Sequence, residues 1–221
     1  LLVRRSAFQV AQRLLANRQD AFKSARNLLM DRINSGRAQR LKRCDVYYPS
    51  VPKGGELRAR YGLIFYPGAL VDRTAYSPVA SRLSELGILV AVANLEPYRV
   101  ITKLKDYALR EEVMRMLSDA VLLGNQGTWT VDDWAIGGHS LGGNVAIAAV
   151  ANEFSSTMKK VVLWGVQTYP DSNTYPCDRT LRSIEDVDAL VVNGSNDELC
   201  RRGAVAAFEA SMPPKSRGPS V

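Results

Sequence analysis

The sequence predicts an α/β fold, a mostly parallel sheet with helices on both faces, and three observations carry that expectation. Short β-rich runs alternate with helical patterns from Tyr47 onward. The runs are apolar throughout instead of alternating with polar residues, as strands buried on both faces are. One strand-to-helix junction is a serine bracketed by glycines, Gly138-His139-Ser140-Leu141-Gly142.

The first 43 residues differ from the rest. They hold 11 Lys and Arg against 2 Asp, whereas the remaining chain holds 18 basic against 20 acidic residues. The formal charge of +7 therefore originates in this arm, and the body offers no broad basic face for nucleic acid. Phe22, Ala25, Leu29 and Ile33 recur at three- and four-residue steps, which predicts a helix stopped at Gly36. Two readings of the arm stay open: an Arg-rich, acid-poor segment for import into an organelle, and a helix packed on the body. Weak contact with a membrane surface, through the arginines and the apolar stripe, is a third. The expected organisation is a basic helical arm over 1–43, an α/β domain over 44–212 and an irregular tail over 213–221. Because its charge and pattern differ from those of the body, the arm is expected to be dispensable for the body's fold.

Predicted strands run over Gly62–Tyr66, Ile88–Asn94, Trp134–Gly138, Lys160–Trp164 and Ala189–Asn193. Between the first two, Ser77 is expected to cap a helix that has Pro78 at its first position. Val79, Leu83 and Leu86 mark its inner face and Gly87 its end. Asp106–Leu123 reads as a longer amphipathic helix, Leu141–Ala151 as a small-residue helix apolar all round, and Ala204–Ser211 as a last helix. No run approaches the roughly 20 apolar residues that span a bilayer, so a soluble chain is expected. Three cysteines, Cys44, Cys177 and Cys200, make an odd set without histidine partners at metal spacing. They suggest neither a disulfide framework nor a metal site, and an intracellular compartment is the default; a single Cys177–Cys200 bridge is the alternative.

Chemistry concentrates at Ser140. A serine on so tight a turn has its hydroxyl raised over the sheet edge, and the flanking glycines are needed because side chains there would collide with neighbouring elements. The Leu141 amide, at the positive end of the next helix, points to where an oxyanion would develop.

Gly62-Leu63-Ile64-Phe65-Tyr66-Pro67-Gly68-Ala69-Leu70-Val71-Asp72, Ala75-Tyr76 and Gly137 to Gly143 together resemble the α/β-hydrolase family 5 domain. The resemblance continues through Val161-Val162-Leu163-Trp164 and Leu190 to Asp197, covering roughly residues 60–215. It implies Ser140 as nucleophile and Asp197 as the acid that orients a histidine. It also implies a binding turn at Gly68, with the Ala69 amide as second oxyanion donor beside Leu141. No metal or organic cofactor is required, and the expected partner is a small-molecule substrate.

The base is the gap. The sequence holds one histidine, His139, and adjacent side chains at a strand end leave in opposite directions, so His139 reads as a structural residue beside the elbow. In the family the base comes after one further strand, so the fold expected here lacks its last strand. Either the sequence given stops short of the base or the chemistry has been lost. The expected function is accordingly a serine hydrolase acting on an ester, thioester or amide by an acyl-enzyme. The alternative is a non-catalytic protein of the same fold that binds an acyl-type ligand or a partner. A nicotinamide-binding protein is disfavoured because no Gly-x-Gly-x-x-Gly comes after the first strand. The short segment Gln167–Asp186 suits a small cap or plain loop, hence an open site for small substrates.

Overall fold

The computed structural model describes residues 21–50, 56–94, 129–150, 158–166 and 187–194. Seven strands form one sheet: β1 (Ala38–Arg40), β2 (Cys44–Tyr47), β3 (Arg58–Tyr66), β4 (Ile88–Ala93), β5 (Thr130–His139), β6 (Lys160–Trp164) and β7 (Asp188–Val192). Their order is β1-β2-β4-β3-β5-β6-β7. β2 runs antiparallel to β1 and β4, and the pairs from β4 through β7 are parallel.

All five predicted strands are present, two of them longer than expected. β3 begins at Arg58 and β5 at Thr130, in stretches where charged residues interrupt the apolar run. Those charges sit at the amino-terminal rim and pair across strands, Arg58 with Asp132 and Lys160 with Asp133. Two further strands, β1 and β2, are too short to show a period of their own.

Alternation along β3 feeds two cores. Leu63 and Phe65 face Val90, Val92, Ala80 and Leu29, whereas Ile64 and Tyr66 join Ile136, Val161, Leu163 and Val145. The first face is covered by α1 (Lys23–Asn34) and α2 (Ser77–Glu85), the second by α3 (Leu141–Ala149).

The boundary expected between residues 43 and 44 needs correction. β1 pairs with β2 from Ala38↔Tyr47 to Arg40↔Asp45, so that boundary cuts a hairpin. α1 buries Ala25 and Leu29 against the sheet and stops where Gly36 takes φ +70. Within the arm, α1 thus packs on the body and β1 joins its sheet; residues 1–20 lie outside the described residues.

α2 also departs from expectation. Ser77 is its first residue, not its cap, and the Ser77 hydroxyl donates to the Thr74 carbonyl while accepting from the Tyr47 hydroxyl. Val79 and Leu86 point outward, and the inner face is Ser77, Ala80, Ser81 and Ser84 with Leu83 at its margin. Small residues let the helix sit close on the sheet, an option that counting large apolar residues overlooks. The helices expected at 106–123 and 204–211, and Cys177 and Cys200, lie outside the described residues. No helix among the described residues is long and apolar enough to cross a membrane.

Candidate active site

At the carboxyl end of β5 the chain turns from His139 through Ser140 into α3. Ser140 has φ 52 and ψ −121, a conformation that costs a non-glycine residue about 1–3 kcal/mol. Its neighbours hold it there. The Ser140 amide donates to the Trp164 carbonyl at 2.8 Å, at the end of β6, and the Ser140 carbonyl accepts from the Gly143 amide at 2.9 Å. A Cβ on Gly138 would collide with the Gly142 backbone, and one on Gly142 with the carbonyls of Tyr66 and Pro67. The first turn of α3 is therefore pressed against the exit of β3. Ser140 makes no side-chain cap on α3, so its hydroxyl is not spent on the helix, and no acidic residue offsets the positive end of α3 in its first turn.

β3 leaves the sheet at Tyr66, and Pro67 and Gly68 are buried before the turn at Ala69 and Leu70. Leu70 takes φ 62, and the Val71 amide closes the turn on the Gly68 carbonyl at 3.2 Å. Gly68 does not offer its amide to a ligand: that N–H donates to the Tyr76 hydroxyl at 2.8 Å. Ala69 packs against the same apolar cluster as Leu141. Gly68, Ala69, Ser140 and Leu141 thus collect at the carboxyl ends of two adjacent strands, where parallel sheets gather their sites.

His139 packs beside the elbow. Its Nδ1 lies 2.9 Å from the Tyr76 hydroxyl, and its ring stands 5.6 Å from that of Trp164. Phe65 closes the aromatic group at 5.2 Å from Tyr76. Burial pushes the Tyr76 phenol up to about 12, only partly opposed by the Gly68 amide, so it remains a neutral phenol with a proton to donate.

Asp197 lies outside the described residues, as do residues 167–186. The strand leading to Asp197 is β7, parallel to β6 and ending at Val192, where the Val192 carbonyl accepts from the Gly165 amide. Tyr76 entered the sequence reading only as part of the Ala75-Tyr76 resemblance and not as a site residue, because nothing in its spacing ties it to His139; only the sheet brings the two together. No group of three candidate metal ligands occurs among the described residues.

Comparison with known proteins bears on the family and the fold. The sequence model of the alpha/beta hydrolase family matches residues 62–217. No curated protein sequence matches the chain significantly. Among solved structures, a putative carboxylesterase from Lactobacillus plantarum is similar with a TM-score of 0.59 at 14% identity, over 80% of this chain and 80% of that one. A lipase/esterase from Lactobacillus plantarum gives 0.59 at 13% identity, over 82% and 86%. Thermogutta terrifontis esterase 2, phosphonylated by cyclosarin, gives 0.53 at 14% identity, over 76% and 72%.

Proposed function

Because the chain belongs to the alpha/beta hydrolase family, we propose that it is a serine hydrolase acting on a carboxylic ester, thioester or amide through an acyl-enzyme. The observation that carries the reading is the backbone of Ser140, held at positive φ between β5 and α3 by partners on both sides. Strain of this kind persists where the surrounding structure over-determines it, and here it presents a hydroxyl at the sheet edge.

In the proposed reaction Ser140 Oγ adds to the substrate carbonyl carbon as its proton passes to a base. The Leu141 and Ala69 amides stabilise the oxyanion, and its collapse expels the alcohol, thiol or amine with that proton. Water then cleaves the acyl-serine by the same route in reverse. Asp197 is assigned the task of orienting the base, a histidine in this scheme. His139 is assigned a structural task instead: its Nδ1 faces the Tyr76 hydroxyl, and adjacent side chains at a strand end leave in opposite directions. The mechanism calls on no metal or organic cofactor.

The tie between the only histidine of the sequence and Tyr76 gives the second reading its footing: a non-catalytic member that binds an acyl-type ligand. Labelling with a fluorophosphonate probe separates the two, and the phosphonylated Thermogutta esterase is a precedent for the chemistry on a similar fold. The expected result is covalent labelling at Ser140 that is absent from Ser140→Ala and accelerated by added imidazole as an external base. Labelling no greater than that of Ser140→Ala, with or without imidazole, would leave the non-catalytic reading standing.

A further inference from the structure

Two turns supply the proposed oxyanion donors, and they come from distant parts of the chain. Ala69 lies just past β3, whereas Leu141 lies just past β5. Their spacing decides whether both amides reach one oxygen atom, and misplacement by about 1 Å can cost on the order of 100-fold in rate. Besides the strand pairing beneath them and the packing of Gly142 against Tyr66 and Pro67, a hydrogen-bonding side chain links them.

Tyr76 is that link. Its hydroxyl, on a residue only 6% exposed, lies 2.8 Å from the Gly68 amide and 2.9 Å from His139 Nδ1. The Gly68 N–H occupies one lone pair of the phenol oxygen, which leaves the phenol proton in need of an acceptor. Nδ1 of a neutral His139 is such an acceptor at hydrogen-bond distance. Were Nδ1 itself protonated, two donors would converge on the phenol oxygen and the phenol proton would lose this partner in a buried place. The arrangement that satisfies all three groups runs from Gly68 N–H to the Tyr76 oxygen and from Tyr76 O–H to Nδ1, placing the imidazole proton on Nε2.

We propose that Tyr76 is a positioning residue that yokes the Gly68–Ala69 turn to the nucleophile elbow through His139. Its effect on rate rests on the serine-hydrolase reading, but the yoke does not. It also gives the histidine before the nucleophile a task, because an imidazole acceptor there reaches the Tyr76 hydroxyl. Gly68 is fixed by the same geometry, because a Cβ there would stand 2.7 Å from Nδ1 and 3.4 Å from the phenol oxygen.

The sequence has one histidine, so the imidazole ¹⁵N spectrum of the labelled full chain has no overlap and reports the tautomer directly. At neutral pH the expected spectrum shows Nε2 protonated and Nδ1 as a hydrogen-bonded acceptor. In Tyr76→Phe, which keeps the ring against Phe65, Nδ1 should shift toward the position of an unbonded acceptor. Fluorophosphonate labelling of Ser140 should slow roughly 10- to 100-fold, as it does when a group that orients a reacting centre is lost. Gly68→Ala, which disturbs the yoke from the turn side, should slow labelling similarly; with the wild-type spectrum it decides the matter if Tyr76→Phe fails to fold. A wild-type spectrum with Nδ1 protonated, or a folded Tyr76→Phe that labels like wild type, would overturn the proposal. If wild type labels no better than Ser140→Ala, the hydrolase reading falls, while the two spectra still decide the yoke.

Discussion

Ser140 is placed by its neighbours against its own backbone preference. A β-carbon disfavours φ 52, so the turn carries strain that a glycine would not feel. Ser140→Gly is therefore expected to be more stable than the parent by about 1 kcal/mol, seen calorimetrically as a rise of roughly 2–4 °C in Tm. Ser140→Ala should show no such gain, because alanine keeps the β-carbon. Equal melting temperatures for the glycine and alanine variants would mean that this conformation stores no strain. The comparison also separates the cost of holding the serine from anything its hydroxyl does, since both variants lack the hydroxyl.

Among the elements, the β1–β2 hairpin is tied to the turn that carries Tyr76 by one carboxylate. Asp45 on β2 is buried, accepts two hydrogen bonds from Arg40 at 2.9 and 2.7 Å, and lies 3.3 Å from Arg73 Nε. Arg40 also donates to Thr74 at 2.8 Å, and the Thr74 amide donates to Asp72, which caps the short 3-10 turn Arg73–Tyr76. Arg73 is itself largely buried, and that burial draws its guanidinium below its usual range despite Asp45. Asp45→Ala should accordingly destabilise the fold by about 3 kcal/mol in chemical denaturation, the low end for a broken buried pair because Arg40 is nearly half exposed. A loss below about 1 kcal/mol would show that the cluster is no stronger than a surface pair. None of this was legible in the sequence: Asp45, Arg40 and Arg73 share no spacing rule, and strands of three and four residues are too short for periodicity to declare. The long apolar strands and the elbow were legible because burial on both faces and a forbidden β-carbon each leave a local trace. The inner face of α2 was misread because Ser81 and Ser84 look like surface residues, whereas close approach to the sheet selects them for size.

For the whole molecule the deciding observation is Leu29, only 1% exposed and packed with Tyr47, Phe65 and Val90. Leu29→Ala should cost about 2–4 kcal/mol, the range for a buried leucine, and deletion of residues 1–43 should leave a body that no longer melts cooperatively. Unchanged denaturation midpoints in both variants would restore the arm to the status its charge suggested. The basic composition of the arm thus says little about its packing, since the exposed Arg26 and the Glu85-paired Arg32 coexist on α1 with a buried stripe. The parallel pairing of β3 with β5, which sets Phe65 beside Gly137 and Tyr66 beside Gly138, has a kinetic side as well. Parallel neighbours so far apart in sequence meet only after a long loop has closed, a slow event whose entropy must be met before any contact rewards it. Helices can form and the chain can collapse while the two turns that flank Ser140 are still strangers. Competence at the elbow should therefore return with the last refolding phase, and a ribosome-bound chain would hold no assembled site until β5 had emerged and found β3.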